Sequence, residues 1–506
     1  MRKITHYVLR STIMSKLSIN NISRLLWALT LVTLPVTSFR YVPFMGTGTY
    51  VRPLALYSLA LLFPLLLIQL KRGKIARPWP GALTVLLAFV LAALAATALG
   101  GTFAPIELRG VEYADRAIRA VLTLGIGLMF FLAAVWMNQS EDDLKFSVRW
   151  LLLGMVFDLA WGAVQFVGLN TGHRQELVKI QNLFSVRGLV QNKRVSGFAF
   201  EPSWLAGQIA TLYLPWLVAS IITRYHVLET PSTVHGLRSV IAKLIEPTLL
   251  LAALAGLLIT YSRSGLAVAL LAGLFTVALT GRETASAFGA WFRAGLVRGA
   301  TIKAAGSRLL LAAITVAVFA GAIVFLTNKG YIAALFKAPK DDLASYITNA
   351  YLGPRIAYSV AALESFQQSP WTGVGLGAAG FSMYRNMPDW VLSGQPEIAE
   401  QLSPDSSDFP NPKNLYVRLL AETGLLAFML FVAFYLALLA DALELLRAPT
   451  PAARWLAAAG LFTFAAVALQ GFSQDSFAMP EIWINLGLLA GAAGFWKKSL
   501  STDFAD

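Results

Sequence analysis

The apolar positions of this chain follow neither helical nor strand spacing; they run in long blocks separated by short clusters of charge, glycine and proline. A block of about 20 apolar residues is what a helix needs to cross the hydrocarbon core of a bilayer. Such blocks lie at residues 25–39, 53–70, 80–100, 117–137, 149–168, 204–223, 247–262, 265–280, 309–327, 415–440, 455–472 and 482–496. The predicted fold is an all-α integral membrane protein with about 12 transmembrane helices. Met1–Arg24 is basic but mixed, with no small-residue cleavage site, so the first block is predicted to be a retained helix rather than a removed signal peptide.

The intervals divide the chain into a tail at 1–24, spans one to nine over 25–327 with a long loop at 169–203, a large loop domain at 328–414 between spans nine and ten, spans ten to twelve over 415–496, and a tail at 497–506. A loop as long as 328–414 must have structure of its own. Within it, Ile356, Val360, Leu363 and Phe366 recur at helical spacing over Arg355–Ser369, and Gly373–Gly380 reads as a flexible turn. The stretch Ala285–Lys303 mixes Phe288, Trp291, Phe292 and Leu296 with Arg293, Arg298 and Lys303, the pattern of an amphipathic helix lying at the interface. No repeat and no nucleotide-binding glycine motif is present, which removes the sequence case for ATP-driven transport.

With 57% hydrophobic against 13% charged residues, a soluble fold is excluded, since its surface would need about twice that charge. The net charge of +14 is not a nucleic-acid signal: about +13 of it falls in both tails and the alternate connections between them, which predicts that side to be cytoplasmic along with both termini. The opposite, external side is nearly balanced. Cysteine is absent and the four histidines (His6, His173, His226, His235) are scattered, so neither a thiolate chemistry nor a His-rich metal site is expected, and no cofactor.

Three stretches could carry chemistry. In Lys193–Gln208, Lys193 and Arg194 precede Glu201, and Pro202 suits the first turn of a helix whose positive end would lie beside that carboxylate. Cations with backbone donors suit a diphosphate, and the carboxylate could act as a base; the alternative is an interfacial anchor with a helix-start signal. In Thr260–Gly265, Arg263 sits between two short spans, where an arginine needs an anion or a water-filled cavity, or else snorkels to the interface. In Pro412–Gly424, Lys413, Asn414, Arg418 and Glu422 fall within three turns, and Arg418 with Glu422 forms an i, i+4 pair that a structural role would explain. Asp475 and Glu481 read first as ordinary loop carboxylates facing outward, with a central cavity as the alternative.

These stretches together resemble the O-antigen ligase/polymerase superfamily of bacterial envelope glycosyltransferases. The resemblance rests on the span pattern with one long loop, on R-x-S-G-x-x-x-E-P-S at Arg194–Ser203, S-R-S-G at Ser262–Gly265, P-R…P-x-x-G-V-G from Pro354 to Gly375, and N-L-Y…E-T-G at Asn414–Gly424. It implies a metal-independent enzyme using polyprenyl-diphosphate-linked glycans at the periplasmic face of the inner membrane. By position it implicates Arg194 and Arg263 in holding the donor diphosphate, with Arg355 a third. Ligases that attach O-antigen to lipid A-core usually carry a histidine just before the Asn of the N-L-Y run; here that residue is Lys413, protonated at neutral pH in its ordinary state and a poor base. The Glu-Pro-Ser stretch is more similar to exopolysaccharide repeat-unit polymerases.

The resulting expectation is an inverting polymerase that moves a growing glycan from one undecaprenyl diphosphate carrier to a carrier-linked repeat unit. Arg194 and Arg263, with Lys193, Lys413, Asn414 and Arg355, would bind diphosphate and sugar; Glu201, or secondarily Glu422, would take the acceptor proton. The aromatics Trp371, Phe381, Tyr384 and Trp390 are either sugar platforms or a small core for the loop domain. Further candidate partners are a chain-length regulator and a flippase. The alternatives are the O-antigen ligase itself and, farther off, a transporter or flippase of lipid-linked sugars, against which stands the single ionisable residue well inside a predicted span, Asp158.

Overall fold

The computed structural model describes residues 18–42, 50–75, 79–102, 107–187, 189, 193–228, 237–297, 301–327, 346–347, 352–389, 396–403, 406 and 409–503. The tail at 1–17, most of 328–351, Arg298 and Trp390 lie outside these residues. The main elements are α1 (Ile19–Thr33), α2 (Ala55–Lys71), α3 (Gly81–Gly100), a two-residue hairpin of β1 (Glu107–Leu108) and β2 (Val111–Glu112), α4 (Tyr113–Met137), α5 (Glu141–Asn170) and α6 (Arg174–Phe184). Next come α7 (Pro202–Gln208), a π-helical turn (Ile209–Tyr213), α8 (Leu214–Thr223), α9 (Leu237–Ile259), α10 (Arg263–Thr280), α11 (Arg282–Ala294) and α12 (Ile302–Thr327). The chain ends with α13 (Gly353–Gln368), α14 (Ala379–Met383), α15 (Pro396–Leu402), α16 (Leu415–Leu445), α17 (Pro451–Gln470), a 3-10 turn (Pro480–Ile482) and α18 (Ile484–Asp503).

Each apolar block falls wholly or mostly on helix. Among the described residues, seven helices are long and apolar enough to cross a membrane, with α7 to α8 acting as one, and two shorter apolar helices lie at Ala55–Lys71 and Leu244–Ile259. Four of the seven start on a side-chain cap, among them α5, where Ser140 accepts from Asp143 N (3.2 Å) ahead of three acidic residues, and α16, where Asn414 accepts from Tyr416 N (3.0 Å) and Val417 N (3.3 Å).

Burial separates centre from rim. Pro202–Thr223 and Pro451–Gln470 are 83% and 78% enclosed, whereas Arg263–Thr280 is 22% enclosed, so the first two are the axis around which the others pack. Leu91, Leu122, Leu251, Leu274 and Leu426 stand exposed on rim helices, as a lipid-facing surface requires. Small residues let the axis pack closely: α17 contributes Ala457, Ala458, Ala459 and Gly460, all buried.

Among the described residues, the 352–414 region bonds to the end of α3, the hairpin and start of α4, the start of α16 and the α17–α18 connection. This lobe has its own core of Ala357, Tyr358, Ala361, Ala362, Ala379, Met383 and Ile398, closed by Ala421 of α16. Helix α13 matches the predicted stretch, but the inward face differs. Small residues pack against α16, while Val360 and Leu363 are exposed, because alanine allows the closer approach. The glycine stretch does turn, yet it is fastened: Val374 N and Gly375 N donate to the carbonyls of Ala421 (2.9 Å) and Glu422 (2.8 Å), and Leu376 N to Thr97 Oγ1 (3.1 Å). Those carbonyls are free because Gly424 breaks α16 with φ 70° and ψ −179°.

The connection after α17 is not a simple outer loop. Phe477 packs against Phe89, Phe431 and Trp483 (6.1, 6.0 and 5.8 Å between rings), and Phe89 lies about 16 Å along α3 from its lobe end. Irregular backbone at that depth persists because protein encloses it. Glu481 is consequently 2% exposed with both carboxyl oxygens lacking a hydrogen-bond partner, which corrects the expectation of an ordinary loop carboxylate.

Candidate active site

The R-V-S-G-F-A-F-E-P-S stretch is shaped by α5. Asp158 Oδ1 accepts from Phe198 N (2.8 Å), and Gln165 Oε1 accepts from Ser196 N (3.1 Å) and Gly197 N (2.9 Å) while its amide donates to Gly197 O (2.9 Å). Gly197 has φ +57°, and a Cβ there would meet Asp158 Oδ1 at 2.2 Å, so only glycine lets the turn close on the aspartate. The acidic group well inside the fifth predicted span thus fastens this loop. Asp158→Asn, which keeps an acceptor oxygen, is expected to retain activity, whereas Asp158→Ala is expected to lower stability by about 1–3 kcal/mol by orphaning Phe198 N. Thermal melts and glycan assays of the two variants in detergent check this; an inactive but well-folded Asp158→Asn would assign the charge itself a function.

Fixing that loop places Arg194. Its Nε donates to the Thr260 carbonyl (2.9 Å), and Val195 N donates to Ile259 O (3.3 Å), so the 193–203 loop is bound to the turn that opens α10. Ser262 caps α10 by accepting from Gly265 N (3.3 Å), and Arg263 is the helix's first residue. Arg194 is thus held on the turn three residues ahead of Arg263, the first residue of an 18-residue helix whose positive end suits an anion. Gly265 allows the approach of α7, since a Cβ there would lie 2.4 Å from that of Ala206. Glu201 is the N-cap of α7, with its carbonyl accepting from Trp204 N (3.0 Å). Its carboxylate accepts from Arg187 Nη1 (3.3 Å) and from the Ser203 hydroxyl, and its side chain is 34% exposed.

The second group lies where the lobe meets the bundle. Arg355 Nη1 donates to Lys413 O (3.4 Å) and Ser473 O (3.2 Å), and Lys413 N donates to Asp475 Oδ2 (3.0 Å). Lys413 Nζ stands 5.1 Å over the Tyr358 ring. Arg418 Nε donates to Glu422 Oε2 (2.9 Å) and Arg418 Nη1 to Asp475 O (2.6 Å); both side chains of the pair are nearly buried. The i, i+4 pair is thus a buried strut, and Glu422 is committed to Arg418, leaving Glu201 the better-exposed carboxylate. Asn414 caps α16, so its side chain is also in structural use. The two groups adjoin through α17: Leu415 N donates to Gly471 O (2.7 Å), and Gly207 of α7 packs against Gln470.

Lys193, Tyr261 and Lys413 all have φ near +50°, an unfavourable region for residues with a Cβ, and all three flank these cations. Such strain concentrates where surrounding structure enforces a functional geometry.

A family model described as O-antigen ligase matches residues 248–432. That match, over rather more than a third of the chain, supports the O-antigen ligase/polymerase superfamily. No curated protein matches the chain. Members of that family transfer glycosyl groups, so the match suggests a membrane glycan enzyme. The matched region holds Arg263, Arg355, Lys413, Asn414 and Glu422, whereas Lys193, Arg194 and Glu201 precede it. The Arg194–Thr260 bond joins the earlier motif to the O-antigen ligase region. Sequence reasoning missed Arg116 and Arg119 at the lobe end of α4. Arg116 Nε donates to Gly377 O (3.2 Å), its guanidinium stacks on Phe409 (4.2 Å), and Glu422, Asp475, Arg418 and Arg119 all act on its charge. Two arginines three apart at the mouth of an apolar span were the available signal. Arg187, the partner of Glu201, was missed because it lies fourteen residues away with no helical register to relate them.

Proposed function

We propose that the chain is a repeat-unit polymerase that lengthens an undecaprenyl-diphosphate-linked glycan at the periplasmic face of the inner membrane, with about twelve spans, cytoplasmic termini and the lobe outside. The observation that carries this is the bond from Arg194 to the Thr260 carbonyl, which holds it on the turn that opens α10 at Arg263. In the proposed step, an acceptor sugar hydroxyl attacks the anomeric carbon of the donor, and the bond from that carbon to the diphosphate oxygen breaks with inversion. The electron pair passes to the diphosphate, whose developing charge Arg194, Arg263 and the helix end stabilise without a metal, with Lys193, Arg355 and Lys413 flanking. The acceptor proton passes to Glu201, displacing its contact with Ser203. Asn414 and Glu422 then serve by holding the start of α16 in place.

Lys413 in the position where lipid A-core ligases usually carry histidine supports polymerase over ligase. Asp158, the ionisable residue well inside a predicted span, is committed to a backbone amide, which weighs against the transporter reading. The test is purified full-length protein with a defined undecaprenyl-diphosphate-linked repeat unit. A ladder of longer lipid-linked chains is expected; no lengthening, with transfer seen only after lipid A-core is added, would establish the ligase instead. In cells, loss of the polymerase leaves single repeat units, whereas loss of a ligase leaves unattached polymer.

A further inference from the structure

The proposed mechanism uses Glu201 but leaves its partner, Arg187, without a task. Arg187 Nη1 donates to Glu201 Oε2 (3.3 Å), and the two side chains are 43% and 34% exposed. An ion pair this open to water adds little to stability, so folding does not account for how firmly the arginine is held. Its guanidinium lies 4.7 Å over the ring of Phe200, the residue before Glu201. That ring is itself fixed: it is buried, it packs on Tyr50 and Trp204 (5.1 Å between rings in each case), and Phe200 N donates to Thr37 Oγ1 (2.9 Å). The main chain leading into Arg187 is tied to the same α1–α2 connection. Ser185 bridges to Phe39, Val186 N donates to Ser38 O (3.1 Å), and Arg40 N donates to Phe184 O (2.9 Å). Thr37–Arg40 is therefore one shelf for both partners, which lie fourteen residues apart in the chain.

We infer that Arg187 is a positioning residue, which holds the Glu201 carboxylate in the orientation that takes the acceptor proton. This rests on the reading of Glu201 as the proton acceptor and deepens it. A glutamate side chain turns about several bonds, yet a general base works only within hydrogen-bond reach of the proton it removes. Two contacts fix this carboxylate, Arg187 on Oε2 and the Ser203 hydroxyl on Oε1, and they are not equivalent. The charge-assisted bond from the stacked guanidinium holds Oε2. The Ser203 hydroxyl is neutral, and the hydroxyl of an acceptor sugar can take its place. Oε1 is therefore the oxygen that receives the proton: the acceptor O–H bond breaks as its oxygen bonds to the anomeric carbon, and the diphosphate leaves with the electron pair of the bond it loses. Stacking supplies what charge alone does not, because a flat guanidinium on an aromatic face keeps its direction where a lysine ammonium turns freely.

The test is a double-mutant cycle in the chain-lengthening assay, with purified full-length protein and the defined undecaprenyl-diphosphate-linked repeat unit. Its members are Arg187→Met, Glu201→Gln and the two together, with Arg187→Lys alongside. Arg187→Met is expected to lower kcat by about tenfold or more while KM stays within about twofold and the melting temperature is unchanged. Arg187→Lys, which keeps the charge without the stacked plane, recovers only part of that loss. In the Glu201→Gln background, Arg187→Met costs nothing further, because no base is left to aim. If Arg187→Met melts lower than wild type, Arg187→Gln, which keeps a flat polar group over Phe200, replaces it in the cycle. Wild-type kcat in Arg187→Met with an impaired Glu201→Gln overturns the positioning role and leaves the base in place. Losses that multiply in the double variant, or a loss expressed in KM, overturn it as well and make Arg187 a substrate contact in its own right. Full activity in Glu201→Gln sinks the base reading and the positioning role with it.

Discussion

Arg194→Ala and Arg263→Ala are each expected to lower kcat for chain lengthening by about 10²–10³-fold, the usual cost of removing one donor from a charge-stabilising site. The leaving group of the proposed reaction is a diphosphate whose negative charge grows as the anomeric bond breaks, so contacts that tighten at that moment appear in kcat more than in KM. Both arginines act on that one charge, and the Arg194–Thr260 bond ties them to the same turn. The double variant should therefore fall by less than the product of the single effects. Glu201→Gln tests the proton acceptor in the same assay, with an expected loss of about 10²–10⁴-fold. Wild-type rates in both arginine variants would sink the catalytic assignment, as would losses that vanish once melting temperature is restored by added lipid.

Gly424→Ala is expected to abolish stable protein, with a destabilisation above about 4 kcal/mol. Gly424 has φ 70° and ψ −179°, a conformation that only glycine adopts readily, and a Cβ there would lie 2.3 Å from the Trp371 carbonyl oxygen. The carbonyl cannot yield cheaply, because it is main chain. The same break in α16 frees the Ala421 and Glu422 carbonyls that fasten the glycine stretch. Gly373 faces that junction from the other side, its Cβ position 2.4 Å from the Glu422 carbonyl carbon. Fluorescence-detected size exclusion and thermal melts of membrane extracts measure the effect. A monodisperse Gly424→Ala protein melting within a few degrees of wild type would show that the kink is dispensable.

Much of the architecture was legible in advance because the bilayer imposes a crude rule. A helix that must bury its backbone polar groups in hydrocarbon needs an unbroken apolar run, and such runs are visible at any resolution of pattern. Pro202 at the first turn of α7 and Ser262 capping α10 were legible for a similar reason, as they act through neighbours a few residues away. The inward face of α13 was misjudged because hydrophobicity marked its large residues, whereas close approach to α16 selected alanines. Glu481 read as a loop residue because nothing local says that residues 473–483 descend between helices; that descent is decided by Phe477 finding Phe89 and Phe431, both far away in sequence.

By itself, the sequence determined that the chain is helical and membrane-embedded, which family it resembles, and which cations lie near the ends of its spans. Those properties follow from local runs and short motifs, where each residue's meaning depends on its immediate neighbours. Only the tertiary structure decided what each charged group does. Arg194 reaches the α10 turn across 66 residues and Glu201 turns to Arg187, while Glu422 is spent on Arg418 and Asp158 on a backbone amide. Inside a protein a buried charge or donor must find a partner, and that partner is chosen by packing among distant segments, which no local pattern records.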